Sequence, residues 1–426
     1  MLLTRQDRAL FWQRFFVFGL FGVFSAVAIQ YYGKVLDDRS AVVRFLYHVS
    51  QMDAGENIYV EYSYPHPPVF ALFLKQLAKL PTVAGAMTWF FLKLIMALAS
   101  MHWAFKMIET PDRPFPIEAK VFTAVLCLKP IIGDLTHGNI NLFVLFLLMA
   151  ALHLFQSGWD RTSGMVLGLA IVCRLTPLLF VPYLVWKRAW RSLAGCAVGV
   201  VFFAVLLPGI LLGPARNTQL LLSWADCWIT PYLVGGEITS EHENQSLPGF
   251  VMRMATASPS YSKYITPKTY VPVRYDNILE LTPTQARWII KFFMGLFAIL
   301  VIWTCRTPIS QRQGWRLPAE FSIVLLGMLL FCERTWKHHC VLILLPSAVL
   351  SYYLHACRPE PGLRRYLVAS AVAAFVLMMS TSTSLLGSLG GKQAEVYGAF
   401  LWANVVLASA IMVLLRRKSQ EAEAAI

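Results

Sequence analysis

The chain has 426 residues, of which 57% are hydrophobic and only 14% are charged, and its mean hydropathy is +0.57. In a soluble domain roughly a quarter of the residues are charged, which is well above the fraction in this chain. The apolar residues also occur in long blocks that are separated by short basic loops. This composition excludes a cytosolic enzyme, a nucleic-acid binder and a disordered chain, because lipid must be the solvent for most of the sequence. The net charge is +14, and the eight cysteines show the spacing of neither a disulfide framework nor a metal cluster.

The first apolar stretch runs from about residue 15 to 31 and follows Arg5, Arg8 and Arg14. It is not followed by a small-residue cleavage site of the signal-peptide type. About 17 apolar residues are enough to cross a bilayer. We therefore expect a retained transmembrane helix with its N-terminus in the cytoplasm.

Further apolar runs follow at about 83–108, 119–133, 139–156, 162–173, 176–187, 192–213, 286–304, 319–331, 339–356, 365–385 and 396–415. Together with the first run they predict about twelve crossings. If the crossings alternate from a cytoplasmic start, the short cytoplasmic loops collect the Lys and Arg residues, as the positive-inside rule requires. The predicted class is an all-α, multi-pass protein of the inner (plasma) membrane with both termini in the cytoplasm.

The same topology gives a single membrane domain over 1–426 with a first outer loop at 32–66, a large outer loop at 214–285 and a cytoplasmic tail at 416–426. Two runs are broken by proline, one at Pro130 and one at Pro177, and a third, Pro67 to Leu80, is too short to span. We expect helices to end at the two breaks, and the short run to form a re-entrant or interfacial helix. Irregular backbone at membrane depth lines protein or water, so the breaks predict a cavity at the outer side.

Polar residues inside a membrane protein are costly, and the predicted topology places most of them at outer helix ends. These residues are Asp37, Asp38, Asp134, His137, Asn139, Arg174, Glu333, Arg334, Lys337, His338 and His339.

Arg174 stands at the break between two short apolar runs, GMVLGLAIVC and LTPLLFVPYLVW. It could simply reach to the membrane interface along its aliphatic stem. It could also line a cavity and hold a lipid phosphate through two parallel hydrogen bonds.

The polar link ERTWKHH, residues 333–339, allows three interpretations. It is an ordinary exterior loop with Trp336 at the headgroup level, a phosphate clamp, or a metal site. The metal interpretation is the weakest, because adjacent histidines on a helix point to different faces and no third ligand has suitable spacing.

Asp37 and Asp38 directly follow the first helix, where a solvated loop carboxylate is the ordinary interpretation. The aromatic end of the same segment, which includes Tyr64 and His66, offers planar groups that stack on sugar rings. It is equally well interpreted as an interfacial aromatic belt.

Taken together, these stretches resemble the polyprenyl-phosphate-sugar-dependent glycosyltransferases of the C superfamily, and most closely glycosyltransferase family 87. The resemblance is carried by the outer-loop Asp, GENIY, YPHPPVFALFLKQLAKLP, HGNINLFVLFLLMA, GLAIVCRLTPLLFVPYLVWKRAWRSL, ENQSLPG and TWKHHCVLILLP, in that order. It implies a glycosyltransferase C-type fold with an active-site cavity at the outer face. The family includes mannosyltransferases that use polyprenol-phosphate-mannose.

The resemblance implies a catalytic carboxylate on the first outer loop, with Asp38 as first choice and Asp37 as second. Arg174 stands where the family more often has Lys, and with Lys337, His338 or His339 it is implied to contact the donor phosphate. Residues implied to bind substrate are Tyr64, His66, Asn139, Asn244 and Gln245.

The chemistry of an inverting sugar transfer agrees with these roles, because it needs one base for the acceptor hydroxyl and cations for the leaving phosphate. The expected partners are the lipid bilayer, a polyprenyl-phosphate-linked sugar donor, with mannose favoured, and a glycolipid or glycan acceptor. No cofactor, metal or nucleic acid is expected.

Two other function classes remain open. A transporter or lipid flippase would also place polar residues in a membrane cavity, but it would favour symmetric halves, and no internal repeat is visible. An undecaprenyl-linked glycan ligase or polymerase shares the substrate class, yet usually relies on Arg and His in a long outer loop without a base Asp.

Overall fold

The computed structural model describes residues 5–265 and 270–417, so the last nine residues of the predicted cytoplasmic tail lie outside the described part. The chain divides into two compact units. Unit 1 comprises 1–106 and 115–236, and unit 2 comprises 107–114 and 237–426. The single domain expected from the sequence stays a prediction.

Unit 1 is built from helices joined by short turns. They are α1 (Arg5–Leu36), α2 (Ala41–Ser50), α3 (Ile58–Tyr62), α4 (Pro68–Leu77), α5 (Thr82–Ile108), α6 (Ile117–His137), α7 (Asn141–Gln156), α8 (Asp160–Cys173), α9 (Phe180–Trp186), α10 (Trp190–Val201), α11 (Leu207–Leu212), α12 (Pro214–Trp228) and α13 (Thr230–Leu233). Two 3₁₀ turns, Gln51–Ala54 and Thr176–Leu179, and a π-helical segment, Phe202–Leu206, complete it.

Unit 2 adds α14 (Leu247–Ala255), α15 (Pro283–Thr304), α16 (Arg316–Phe331), α17 (Leu344–Ala356), α18 (Pro361–Ser380), α19 (Thr383–Val396) and α20 (Ala399–Arg416). A 3₁₀ segment, Lys337–Ile343, precedes α17. The predicted outer loop 214–285 also contains an antiparallel hairpin of β1 (Tyr261–Tyr264) and β2 (Tyr270–Arg274), which the apolar pattern did not indicate.

The predicted helical, multi-pass membrane class is confirmed. Seven segments of the described residues are long and apolar enough to cross a bilayer: Val17–Leu36, Thr82–Ile108, Trp190–Leu212, Pro283–Thr304, Lys337–Ala356, Pro361–Ser380 and Ala399–Arg416. Shorter apolar helices occupy other predicted runs, so about twelve crossings stays a prediction.

Pro130 does not end its helix, contrary to the sequence prediction. Helix α6 continues through it to His137 and ends only at Gly138, whose φ of +80° suits a left-handed cap. Proline removes one backbone hydrogen bond, and tight packing by neighbouring helices allows a membrane helix to tolerate that loss.

The predicted break at Arg174 is real: α8 ends at Cys173, Arg174 takes an extended conformation, and a 3₁₀ turn follows. Helices α8 and α10 pack closely through glycines spaced four apart, Gly164 with Gly168 and Gly195 with Gly199. A Cβ at Gly164 would lie 2.0 Å from the carbonyl oxygen of Ser192, so only glycine fits. Along these contacts the residue numbers of both helices increase in the same direction, so α8 and α10 run parallel.

Candidate functional site

The two candidate catalytic carboxylates lie in the turn that ends α1. Asp38 has a φ of +53°, and its amide donates to the Val35 carbonyl at 3.2 Å while the Arg39 amide donates to Lys34 at 2.9 Å. This is a Schellman cap with Asp38 at the left-handed position, which Asp and Asn tolerate better than other non-glycine residues. The backbone therefore accounts for a short polar residue here, but not for its charge.

The environments of the two carboxylates differ. Asp37 accepts a hydrogen bond from Arg39 at 2.7 Å on the exposed surface. Asp38 is also exposed, and its carboxylate has neither hydrogen bond nor ion pair with any part of the chain that the structure describes. Asp38 is thus the one whose oxygens are available to a substrate.

The turn that carries Asp38 contacts the turn between α6 and α7. The Tyr31 hydroxyl lies 2.9 Å from the Ser40 Oγ, and a Cβ on Gly138 would lie 2.5 Å from that same Oγ. Gly138 therefore cannot be enlarged without moving the segment just after Asp38. Next to it, the Asn139 side chain accepts from the Ile140 amide at 2.8 Å and so shapes the turn, which leaves its predicted substrate role a prediction.

A row of polar side chains leads from this turn to Arg174. Asp134, fully buried in α6, accepts from Lys93 Nζ at 3.4 Å, from Asn141 Nδ2 at 2.8 Å and from the Leu142 amide at 3.2 Å. Lys93 also donates to the Asp134 carbonyl at 2.6 Å. The Arg174 Nη1 donates to Asn141 Oδ1, so the guanidinium is tied to the start of α7.

Tyr64 and His66 form an aromatic box with Phe45 in the same unit, with ring centroids 5.1–5.7 Å apart. The backbone carbonyl of His66 accepts from the buried Tyr59 hydroxyl at 3.0 Å. Tyr64 is fully buried and His66 is 8% exposed, yet the Tyr64 hydroxyl and the His66 Nε2 have no hydrogen-bond partner in the described chain. A buried polar atom that a ligand pairs with would regain the free energy lost on burial, so the predicted substrate roles of Tyr64 and His66 stay predictions that this geometry allows.

The aromatic box lies close enough to Arg174, at the break that follows α8, for its charge to affect His66. Burial, and secondarily the charge of Arg174, lowers the pKa of His66 to about 3. Burial also raises the pKa of Tyr64 well above its ordinary value. At neutral pH both groups are therefore uncharged, and each can donate or accept a hydrogen bond.

In unit 2, Lys337 is not a free cation. Its Nζ lies 2.5 Å from the carboxylate of Glu395, whose side chain is only 5% exposed. The His242 Nε2 approaches the same carboxylate at 3.6 Å, but burial lowers the pKa of His242 to about 4, so its ring is neutral at pH 7. Lys337 therefore balances a buried carboxylate.

His338 and His339 are buried at the start of the 3₁₀ segment, with ring centroids 4.8 Å apart. The Nδ1 of His339 accepts from the Trp336 amide at 3.1 Å, which assigns the ring proton to Nε2 in the neutral form. That nitrogen is a donor suited to an anion, so the predicted phosphate contact of His339 stays a chemically sound proposal, as does that of His338.

The two amide side chains at Asn244 and Gln245 are saturated by protein partners. Asn244 Nδ2 donates to the carbonyls of Thr239 and Glu333 at 2.8 and 2.7 Å, and its Oδ1 accepts from Thr335 and Ser246 amides. Gln245 Nε2 donates to Glu395 O at 2.8 Å and to His242 O, while Oε1 accepts from the Phe400 amide. Both residues therefore join segments of unit 2, and the substrate role predicted for them from the sequence stays a prediction.

Sequence reasoning missed several buried charged residues, among them Lys93, Arg253 and Glu395. Fully buried Arg253 donates to the Val396, Ser240, Glu241 and Asn244 carbonyls at 2.8–3.2 Å. The only signal for Lys93 was a lone charge inside an apolar run. Arg253 and Glu395 lie in stretches of mixed polarity, where a charge gives no signal.

Two further features of the described residues are the absence of a metal-ligand group and an apolar groove in unit 2. Among the described residues, no three His, Cys, Asp or Glu side chains are grouped as metal ligands. A groove of about 750 Å³ in unit 2 is lined mainly by apolar side chains of α14, α15, α16 and α20. Arg416 and Arg417 also line this groove, and none of the predicted site residues does.

One protein family matches the part of the chain that holds most of these residues. The model of glycosyltransferase family 87 matches residues 64–332, which is more than half of the chain. The chain belongs to glycosyltransferase family 87. The family 87 match includes Tyr64, His66, Arg174 and the Asn244–Gln245 pair, whereas Asp38 and the 337–339 segment lie outside it.

Two family relatives are polyprenol-phosphate-mannose-dependent alpha-(1-2)-phosphatidylinositol mannoside mannosyltransferases. The one from Mycolicibacterium smegmatis is 25% identical over 242 residues, which cover 55% of this chain and 47% of the relative. The one from Mycobacterium tuberculosis is 26% identical over 338 residues, covering 76% of this chain and 69% of the relative. The first match thus spans about half of the relative's length.

Among solved structures, ArnT from Cupriavidus metallidurans bound to undecaprenyl phosphate aligns with 93% of this chain and 77% of its own, at a TM-score of 0.43 and 15% identity. The apo state of the same protein aligns at a TM-score of 0.42.

Proposed function

We propose that this family 87 protein is a membrane glycosyltransferase that moves a hexose or pentose, with mannose favoured, from a polyprenyl-phosphate donor to a lipid-linked or cell-envelope glycan acceptor. The observation that carries the proposal is the group formed by Arg174, Tyr64 and His66. It combines a guanidinium anchored by Asn141 with two buried polar atoms that have no hydrogen-bond partner among the described residues. The mannosyltransferase relatives support the choice of donor.

In the proposed reaction Arg174 binds the donor phosphate and stabilises the charge that grows on it as the sugar departs. The neutral Tyr64 hydroxyl and His66 ring donate hydrogen bonds to the sugar or the phosphate. Asp38 takes the proton from the acceptor hydroxyl, which then attacks the anomeric carbon from the side opposite the phosphate and inverts its configuration. His338 and His339 are proposed as further phosphate contacts.

We propose the plasma membrane as the location, with both termini cytoplasmic and the site on the outer face. The basic short loops support this topology. Polyprenyl-linked donors of this kind present their sugar on that face, which agrees with a base on the first outer loop.

The test is transfer by the purified full chain, incubated with a panel of polyprenyl-phosphate sugars. Replacing Asp38 with Asn keeps a residue that accepts a positive φ but removes the base, so turnover should fall by about 100-fold to 10,000-fold while donor affinity changes little. Asp38→Gly, which suits the cap but has no side chain, should be equally inactive.

Asp37→Asn is the matched control and should retain near-normal activity. Loss of activity in Asp37→Asn alone would move the base by one residue. Full activity in both Asn variants would refute base catalysis from this turn, and transport without transfer would refute the glycosyltransferase proposal.

A further inference from the structure

The ion pair of Lys93 and Asp134 is the most costly polar feature of unit 1. Both side chains are 0% exposed, and Lys93 lies within a 27-residue helix apolar enough to span a membrane. A charge at the centre of such a helix is costly to insert into a membrane. Replacing a buried ion pair with apolar residues often leaves stability unchanged or higher, so stability alone does not explain this pair.

The donors and acceptors around the ion pair fix the orientation of the Asn141 amide. The Asp134 carboxylate oxygens accept hydrogen bonds here, and Arg174 can only donate them. Asn141 lies between them and satisfies both, with its Nδ2 donating to Asp134 at 2.8 Å and its Oδ1 accepting from Arg174. If the amide flipped, it would present its oxygen to a carboxylate and its NH₂ to a guanidinium.

The carboxylate is in turn fixed by Lys93 and by the Leu142 amide, which both lie within 3.4 Å of its Oδ2. The Asp134 Oδ1 is thereby left facing Asn141. A side chain in the middle of α5 is thus linked, through three successive hydrogen bonds, to the arginine that follows α8.

We propose that Lys93, Asp134 and Asn141 are positioning residues that hold the Arg174 guanidinium in the geometry that binds the phosphate of a polyprenyl-phosphate lipid. This proposal rests on the phosphate-binding role of Arg174 in the proposed function. The three residues act through Arg174 and do not touch the phosphate themselves.

A double-mutant cycle separates positioning from a general structural role. A positioning residue loses its effect once the group it positions is gone, whereas a structural residue weakens the protein equally in both backgrounds. The measured quantity is the dissociation constant for undecaprenyl phosphate, determined with the purified full chain.

Arg174→Ala should weaken binding of undecaprenyl phosphate by about 10-fold to 100-fold, the usual range for one charge-assisted contact. Asn141→Leu should weaken it by about tenfold in the native background and by less than about twofold in the Arg174→Ala background.

Asn217→Leu is the matched control. Asn217 is an equally buried amide of unit 1, but its side chain donates only to the Ala204 and Val205 carbonyls. Any effect it has should be the same in both backgrounds.

If Asn141→Leu fails to fold, the pair Lys93→Met with Asp134→Leu, which removes both charges together, takes its place with the same expectation. Equal losses in both backgrounds would overturn the positioning role while leaving Arg174 as the phosphate ligand. Normal binding by Arg174→Ala would overturn that part of the proposed function and this inference together.

Discussion

Each unit contains a buried polar cluster, and the two clusters are bonded in different ways. In unit 1, side chains bond mainly to one another, from Lys93 through Asp134 and Asn141 to Arg174. In unit 2, the side chains of Arg253, Asn244 and Gln245 bond mainly to backbone carbonyls and amides. Backbone partners fix the path of the chain, whereas side-chain partners fix the direction of other side chains.

The clusters also differ in what they leave unsatisfied. Among the described residues, the unit 1 cluster adjoins the Tyr64 hydroxyl and the His66 Nε2, which have no hydrogen-bond partner, and the unit 2 cluster adjoins the His242 Nδ1, which also has none. The side chains of Arg253, Asn244 and Gln245 themselves all have protein partners. A polar atom left unpaired in a buried place reduces stability, and a ligand that pairs with it regains that energy on binding. We therefore interpret the unpaired atoms of Tyr64 and His66 as available for binding, and the side chains of Arg253, Asn244 and Gln245 as contributing to stability.

The largest effect on stability is expected from Arg253→Met. The variant removes the Arg253 donor from four backbone carbonyls of unit 2, one of which, that of Glu241, still accepts from the Asn244 amide at 2.9 Å. Buried unsatisfied groups cost about 1–3 kcal/mol each before relaxation, so we expect a total loss of about 3 kcal/mol. Thermal unfolding in detergent measures it. Arg216→Met is the control from unit 1: Arg216 also donates to two carbonyls at 2.6 Å, but it lies near the surface where water replaces it. Equal losses of stability in Arg253→Met and Arg216→Met would contradict the difference expected between a buried and a surface arginine.

The next effect is a dependence of stability on pH that originates in unit 1. The pKa of His66 is about 3 in the folded protein, below its ordinary 6.5, so the unfolded chain takes up a proton first as pH falls. This contribution to stability is complete above pH 6.5 and decreases toward pH 3, by about 2 kcal/mol at pH 5.

Melting temperatures between pH 7 and 5 check this expectation, with His66→Gln as the comparison. The slope should be clearly smaller in the variant, although His242 in unit 2 contributes a weaker fall of its own because its ring is only partly buried. An identical slope in both proteins would show that His66 is not the group responsible.

The smallest effect on stability is expected from Tyr64→Phe. Its hydroxyl has no partner to lose, so the free energy of unfolding should change by less than about 1 kcal/mol, while binding of the polyprenyl-phosphate donor should weaken several-fold. Tyr59→Phe is the control, since its buried hydroxyl donates to the His66 carbonyl at 3.0 Å and its loss should cost about 1 kcal/mol. A Tyr64→Phe protein with normal donor binding would remove the hydroxyl from the site.

The sequence predicted the helices better than their partners. Apolar runs and the break at Arg174 were visible because hydropathy and proline act locally, and they correspond to observed helices. Pro130 was misjudged because the packing that tolerates it is tertiary. Lys93 and Asp134 are 41 positions apart, so their pairing depends on which helix faces meet. Arg174 and Asp134 could be singled out from the sequence, whereas the contacts that link them through Asn141 could not.

The glycine contacts between α8 and α10 have a consequence for how the protein enters the membrane. Helix α8 has 14 residues, about 21 Å at 1.5 Å per residue, which is shorter than a hydrocarbon core of about 30 Å. The segment Trp190–Leu212 is long and apolar enough to partition into lipid without help. We expect the translocon to release α8 stably only after this later segment has been synthesised and can take it up by close glycine packing. Bulky substitution of Gly164 or Gly195 would then be seen first as a failure of membrane insertion during synthesis.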